Sequence, residues 1–192
     1  MRHLIIVLTA MLCVGCAQLP SDPVLPPPQK KAQAVVFDID GTLTPDVLTI
    51  FEAREHAADA AQLFAKKGYK IFYLSTRAGF VSANIPGWLT SNRFPSGSVL
   101  VAQTDEERDF PDDYKARMLK KIISEEWDIS YAYGDSYTDF LAYARAGIPK
   151  ERVFALQRRY DPHCHRGEWN KCLKGWTEHL EFVRSVPPAR TY

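Results

Sequence analysis

The sequence predicts an α/β fold, a doubly wound parallel sheet with helices on both faces. Three observations predict it. Short apolar runs rich in β-branched and aromatic residues alternate with longer segments of helical spacing. Each run is bounded by turn residues, and carboxylates or a hydroxyl stand where the runs end. Such alternation argues for parallel strands covered on both sides by crossover helices. Right-handed crossovers then bring every strand-to-helix loop to one edge of the sheet. At 192 residues and 46% apolar, the chain is large enough to bury one ordinary core.

Ala34 to Ile39 is the first strand. Ala53 to Lys67 reads as a helix, with Ala57, Ala60, Ala61 and Phe64 on one side, Lys66 and Lys67 favouring its C-terminal dipole and Gly68 ending it. Lys70 to Leu74 is the second strand and stops at Ser75-Thr76-Arg77. A broken helical region follows around Trp88-Leu89, interrupted by Pro86, and Val99 to Val101 is a short strand. Asp112-Asp113 can cap a helix running to about Glu126, with Tyr114, Met118 and Ile122 inward. Ile129 to Tyr133 is a strand that stops at Gly134-Asp135. Thr138 to Ala146 is a helix, and Arg152 to Leu156 is the last clear strand. Trp169, Leu173, Trp176, Leu180 and Val183 make a helical stripe, read as a final helix packing on the sheet.

Before this domain the chain has a different character. Met1-Arg2-His3 and the apolar run Leu4 to Val14 suit a signal peptide and are too short to span a bilayer. Gly15-Cys16 resembles a bacterial lipobox, with Cys13 where that motif usually has Leu; an ordinary cleaved export signal is the alternative. Pro20 to Pro28 cannot build a core and reads as an extended tether. The expected division is a signal peptide over 1–15, a lipidated Cys16 and tether over 16–31, one domain over 32–186 and a tail over 187–192. The protein would then be an exported lipoprotein facing the periplasm or the exterior. Ala17 after Cys16 favours the outer membrane in a Gram-negative host. A net charge of +1 without a long basic run gives no electrostatic reason to expect a nucleic-acid partner. Nothing in the chain decides its oligomeric state.

The chemistry gathers at the strand ends. Asp38 and Asp40 lie one residue apart, so they share a side of an extended chain. Two adjacent acids repel unless a cation or a proton intervenes. Asp40-Gly41 between apolar runs also suits a hairpin turn, but Gly134-Asp135 with Asp139 and the parallel-sheet pattern argue against it. Together with Ser75 and Lys115 these acids make a site for a hard divalent cation and an anion. Lys115 could instead be a solvated helix lysine, Thr76 could replace Ser75, and Asp139 could only cap its helix.

Asp38-Ile39-Asp40-Gly41-Thr42, Ser75, Lys115 and the Asp135/Asp139 pair resemble, in order, the four motifs of the haloacid-dehalogenase (HAD) superfamily of phosphotransferases, which has a Rossmann-like sheet. Within it, Asp40 to Thr44, Gly68 to Ala78, Trp88-Leu89, Phe94 to Gly97, Tyr114-Lys115, Thr138 to Tyr143 and Gly147 to Phe154 are similar to the lipin phosphatidate-phosphatase domain. Gly134-Asp135-Ser136 departs from the Gly-Asn common in lipins, and no separate lipin amino-terminal region is evident.

The resemblance implies an Mg²⁺-dependent phosphomonoester hydrolase. Asp38 would be the nucleophile that forms an aspartyl-phosphate, and Asp40 the acid and base. Ser75 and Lys115 would hold the phosphoryl, with Gly41, Thr42, Thr76 and Arg77 at the substrate. Asp38, Asp135, Asp139 and the Asp40 main-chain carbonyl would hold the metal. No room for a large cap domain exists between Thr44 and Lys70 or between Arg77 and Asp112. An open site suits a lipid phosphate such as phosphatidate. A soluble-substrate acid phosphatase or phosphotransferase, and a non-catalytic lipid-binding module, are the alternatives. In an exported chain Cys164 and Cys172 are expected to form a disulfide. A zinc site of these cysteines with His163 and His165 is the other option.

Overall fold

The computed structural model describes residues 32–190. The export signal, Cys16 and the proline tract expected before them lie outside the described residues. The elements in chain order are β1 (Gln33–Asp38), α1 (Ala57–Lys66), β2 (Lys70–Ser75), α2 (Gly79–Ser82), α3 (Ile85–Ser91) and β3 (Ser98–Val101). Then come α4 (Asp105–Asp109), α5 (Pro111–Ser124), β4 (Asp128–Gly134), α6 (Tyr137–Arg145), β5 (Val153–Leu156), β6 (Lys171–Leu173) and α7 (Leu180–Ser185). The strands form one sheet in the order β3-β2-β1-β4-β5-β6, and every pair is parallel. Among the described residues no large cap interrupts it.

Period-2 geometry sorts β1 between two cores. Val35 and Phe37 enter one, shared with Phe64 of α1, Trp88 of α3 and Val183 of α7. Ala34 and Val36 enter the other, shared with Met118 and Ile122 of α5 and Phe140 of α6. Asp38 continues the Ala34–Val36 side, so it leaves the strand towards α5 and α6. The first core is unusually aromatic. Phe37 stacks on Tyr133 with centroids 5.2 Å apart, and Tyr133 meets Phe154 at 5.3 Å and Trp176 at 4.8 Å. Each such pair adds about 0.5–1.5 kcal/mol beyond the area it buries.

Four elements depart from the sequence expectation. The helix expected from Ala53 begins at Ala57, because His56 takes a left-handed conformation (φ 59°) and Arg54 spends its side chain on loop carbonyls. Asp112 and Asp113 stand in the first turn of α5 rather than capping it. A separate α4 precedes them, closed by a capping box in which Thr104 and Glu107 exchange hydrogen bonds. The stripe from Trp169 to Val183 is not one helix. Cys172 and Leu173 pair with Ala155 and Leu156 in β6, and helical geometry resumes only after Gly175. Pro86 falls in the first turn of α3, where its missing N–H removes no intrahelical bond. Beyond α7 the chain stays on the domain: the Ala189 N–H donates to the Lys67 carbonyl (2.7 Å), and the Tyr69 hydroxyl to that of Pro187 (3.1 Å).

Candidate active site

The loop after β1 is held from three directions. The Thr42, Leu43 and Thr44 N–H groups all turn back onto the Ile39 carbonyl, at 2.9–3.3 Å. Gly41 enables this turn with φ 85°, and a Cβ there would lie 2.1 Å from an Asp135 oxygen. Only glycine meets both demands. The Arg54 guanidinium donates to the carbonyls of Gly41, Pro45 and Gln157, each at 2.8 Å. On the remaining side, Trp176 Nε1 donates to the Thr42 carbonyl (3.1 Å).

That geometry delivers three buried carboxylates to one place. Oxygens of Asp38, Asp135 and Asp139 lie within 4.8 Å of one another. Asp139 reaches them from the first turn of α6, where its second oxygen also completes a capping box with Ser136. Lys115, buried on α5, donates to Asp38 (2.6 Å) and to Asp139 (2.5 Å). Its pKa is raised: burial opposes the charge, but Asp139 and Asp38 outweigh it. The same ammonium, against burial, keeps the Asp139 carboxyl below its ordinary value. Asp38 stands well above the usual range because of burial and then the Asp139 charge. Asp135 is pushed up to about 7 by burial and Asp139, although Arg158 pairs with it.

Two ionised carboxylates at this spacing repel by roughly 3–4 kcal/mol even at an effective dielectric of about 20. Three acids facing Lys115 and Arg158 therefore leave negative charge uncompensated, which adds to burial in raising Asp38 and Asp135. Oxygen donors in such a deficit fit a hard divalent cation. The residues present could hold a metal ion.

Asp40 faces elsewhere. Its carboxylate pairs with Arg77 (2.6 Å) and accepts from Ser75 Oγ (3.1 Å). The Arg77 N–H donates to Ser75 Oγ (3.0 Å), and its guanidinium also reaches the Ile50 carbonyl (3.2 Å). Thr42 turns its hydroxyl onto Asp38 Oδ2 (3.0 Å), and Thr76 is half-buried next to Ser75. The structure thus brings Asp38, Lys115, Asp135 and Asp139 into one cluster. Asp40, Ser75 and Arg77 form a second group alongside, with Arg77 on Asp40. Gly41 and Thr42 lie in the turn between these groups.

Sequence reasoning missed Arg158, Arg54 and Trp176. Arg158 lies just past β5, at the same strand-end edge that located the others, and that position was its signal. The other two bind main-chain carbonyls far away in sequence, which leave no pattern. Beside β5, where Cys172 pairs with Ala155, Cys164 and Cys172 are joined in a disulfide, with Cα atoms 5.8 Å apart. Their sulfurs bond to each other, and His165 faces Asp161 at 3.1 Å.

Similarity to known proteins coincides with this geometry. The family model described as PITM 1-3, LNS2 domain matches residues 35–157, more than half of the chain, from within β1 to just past β5. Phosphatidate phosphatase PAH1 of Arabidopsis thaliana is 26% identical over 147 residues, covering 64% of this chain and 16% of that protein. The chain therefore spans about a sixth of that relative's length. Two solved structures share the fold at 15% identity. One, a structure of the Pnkp1/Rnl/Hen1 RNA repair complex, has a TM-score of 0.57 and covers 77% of this chain and 48% of its own. The other, a structure of the Pnkp1/Rnl/Hen1 complex, has a TM-score of 0.56 and covers 83% and 52%.

Proposed function

Because the chain belongs to the LNS2 domain family, we propose that it is an Mg²⁺-dependent phosphomonoester hydrolase acting through an aspartyl-phosphate, on a lipid phosphate such as phosphatidate. The observation that carries the reading is the meeting of Asp38, Lys115, Asp135 and Asp139 in one buried cluster at the strand-end edge. Phosphatidate comes from the similarity to a phosphatidate phosphatase over part of that protein, and from an edge that no large cap covers. The amino-terminal segment, with lipidated Cys16 and its tether, would keep the enzyme at a membrane on the exported side.

A divalent cation held by Asp38, Asp135, Asp139 and the Asp40 main-chain carbonyl would supply positive charge to the phosphoryl oxygens and keep Asp38 ionised. An Asp38 oxygen attacks phosphorus as the bond to the leaving alcohol breaks. Asp40 gives its proton to that alcohol oxygen. It then takes a proton from the water whose oxygen attacks the phosphorus held on Asp38; the bond from phosphorus to the Asp38 oxygen breaks, inorganic phosphate leaves, Asp38 is again a carboxylate and Asp40 again carries its proton. Lys115 and Ser75 hold the transferring group, where charge stabilisation dominates. Arg77 and Ser75 hold the Asp40 carboxylate in this structure, so the acid step requires Asp40 to take up a proton and turn from Arg77 toward the leaving oxygen.

Asp38→Asn tests the proposal. It keeps the shape and removes the nucleophile, so phosphate release from a chromogenic ester and from phosphatidate with Mg²⁺ should fall to background. A wild-type chain that releases no phosphate under the same conditions would instead make the domain a binding module.

A further inference from the structure

The exposed apolar side chains of this domain are not scattered. Leu48 is 87% exposed, Phe51 62%, Phe80 83%, Tyr137 58% and Tyr160 84%. Each follows a different strand or shares a loop with one that does: Leu48 and Phe51 come after β1, Phe80 after β2, Tyr137 after β4 and Tyr160 after β5. In an all-parallel sheet these loops stand on one edge, the edge that carries Asp38 and Asp135. The large apolar residues exposed elsewhere, Ile123 and Phe182, are barely so, at 39% and 36%. Exposed apolar side chains gathered on one edge in this way point to an interaction site.

We infer that this rim is a membrane-docking face, which seats the mouth of the site on a phospholipid bilayer so that a lipid phosphomonoester enters without leaving its leaflet. The lipid substrate and the tether at Cys16 rest on the function proposed above; the exposed rim itself does not. Two further features favour a bilayer as the occupant. Two of the acidic groups on the leading loop, Glu52 and Asp46, have partners. Glu52 pairs with Arg159 from the loop after β5, and Asp46 accepts the Leu48 and Thr49 N–H groups at 2.8 and 2.9 Å. Partners of this kind lower the cost of bringing the tip of the loop, with Leu48 and Phe51, into an interface. Amino-terminal chain length also allows it. Residues 16–31 can extend by at most about 55 Å, whereas a domain of this size is about 40 Å across. A chain tethered at Cys16 and entering β1 at the far edge of the sheet can therefore still lay the mouth face down.

Acidic residues bound the rim on one side. Phe110 is exposed too, but Glu106, Asp109, Asp112 and Asp113 surround it in sequence, after the edge strand β3. Phe110 should stay in water while the β1, β2 and β5 loops enter the interface.

The test uses the full chain and its Leu48→Glu/Phe51→Glu/Phe80→Glu variant, with Phe110→Glu as the control. Burying one Leu or Phe side chain changes partition by about tenfold or more. The triple variant should therefore lose at least about tenfold in phosphate release from phosphatidate in phosphatidylcholine vesicles. Hydrolysis of a soluble chromogenic ester, and of short-chain phosphatidate below its micelle concentration, should change less than about twofold, and Phe110→Glu should match wild type throughout. Equal rates on vesicles for triple variant and wild type would overturn the docking face. Rim-dependent self-association without any vesicle effect would overturn it too, in favour of a protein partner. If wild type hydrolyses no phosphatidate in any form, the proposed substrate fails. Docking is then read from quenching of a Phe51→Trp chain by brominated phosphatidylcholine, where no quenching beyond wild type would end it.

Discussion

Replacing Lys115 by Met probes the electrostatics of the site apart from its catalysis. The methionine keeps the length and apolar stem of the lysine but removes an ammonium bound to Asp38 at 2.6 Å and Asp139 at 2.5 Å. Removing one partner of a buried ion pair typically costs about 3–5 kcal/mol, because the remaining charge is left uncompensated. For a domain of this size that is roughly 6–20 °C in Tm. The cost should depend on pH in a definite sense. Without Lys115 both carboxyls titrate higher folded than unfolded, so the folded variant binds extra protons above their ordinary pKa near 4. Its deficit should be small at about pH 4 and widen as pH rises. In the wild type, Asp135, pushed up to about 7, works in the same direction: its contribution falls between about pH 4 and 7. Asp139, held low by Lys115, opposes it with stability that is lost only as pH falls through its folded value. Thermal unfolding of both chains from about pH 4 to 8, with EDTA and with Mg²⁺, reads all of this. Mg²⁺ should recover much of the variant's loss at the alkaline end and little at the acid end. A variant whose Tm tracks wild type at every pH would refute the view that Lys115 offsets surplus negative charge.

Other perturbations reach the site through its supports. Gly41→Ala forces a left-handed residue and drives a Cβ into the Asp135 carboxylate, so unfolding in urea should show a loss of at least ~2 kcal/mol, and Mg²⁺ stabilisation should vanish. Trp176→Phe keeps most of the aromatic packing but leaves the Thr42 carbonyl without its donor. A loss of about 1–3 kcal/mol is expected by chemical denaturation, with kcat falling more than KM rises. Reducing the Cys164–Cys172 disulfide opens a short loop that supplies no carboxylate to the cluster. That should cost roughly 2–3 kcal/mol by chain entropy and leave phosphate release from a soluble ester nearly unchanged.

The parts of this molecule legible in its sequence are those written in local spacing. The apolar run before Asp38 announced a strand end, but the strand stops at Asp38 and Asp40 turns to Arg77 instead of sharing its side; Asp135 with Asp139 announced a strand-to-helix turn. What escaped depends on long-range pairing. Leu173, Trp176, Leu180 and Val183 satisfy helical spacing, yet Leu173 is claimed by β5 through β6, a competition that periodicity cannot weigh. The α4 turn was missed although Thr104 and Glu107 spell a capping box, because five residues carry too little apolar signal to register as an element. Arg54 and Trp176 recognise main-chain oxygens, and a backbone carbonyl looks the same in every residue. The pairing of Arg77 with Asp40 was hidden for a different reason: a basic residue beside a phosphate-binding motif is naturally assigned to the phosphate.

Arg54 ties a further consequence to the shape of the first loop. One guanidinium gathers oxygens from both ends of that loop and from the segment after β5, so the two halves of the sheet report to a single side chain. Anyone transplanting the aspartate motif onto another parallel scaffold would have to carry this arginine and a receiving oxygen from a non-adjacent strand. A graft limited to the ten residues around Asp38 would lack the clasp that gives the turn its form.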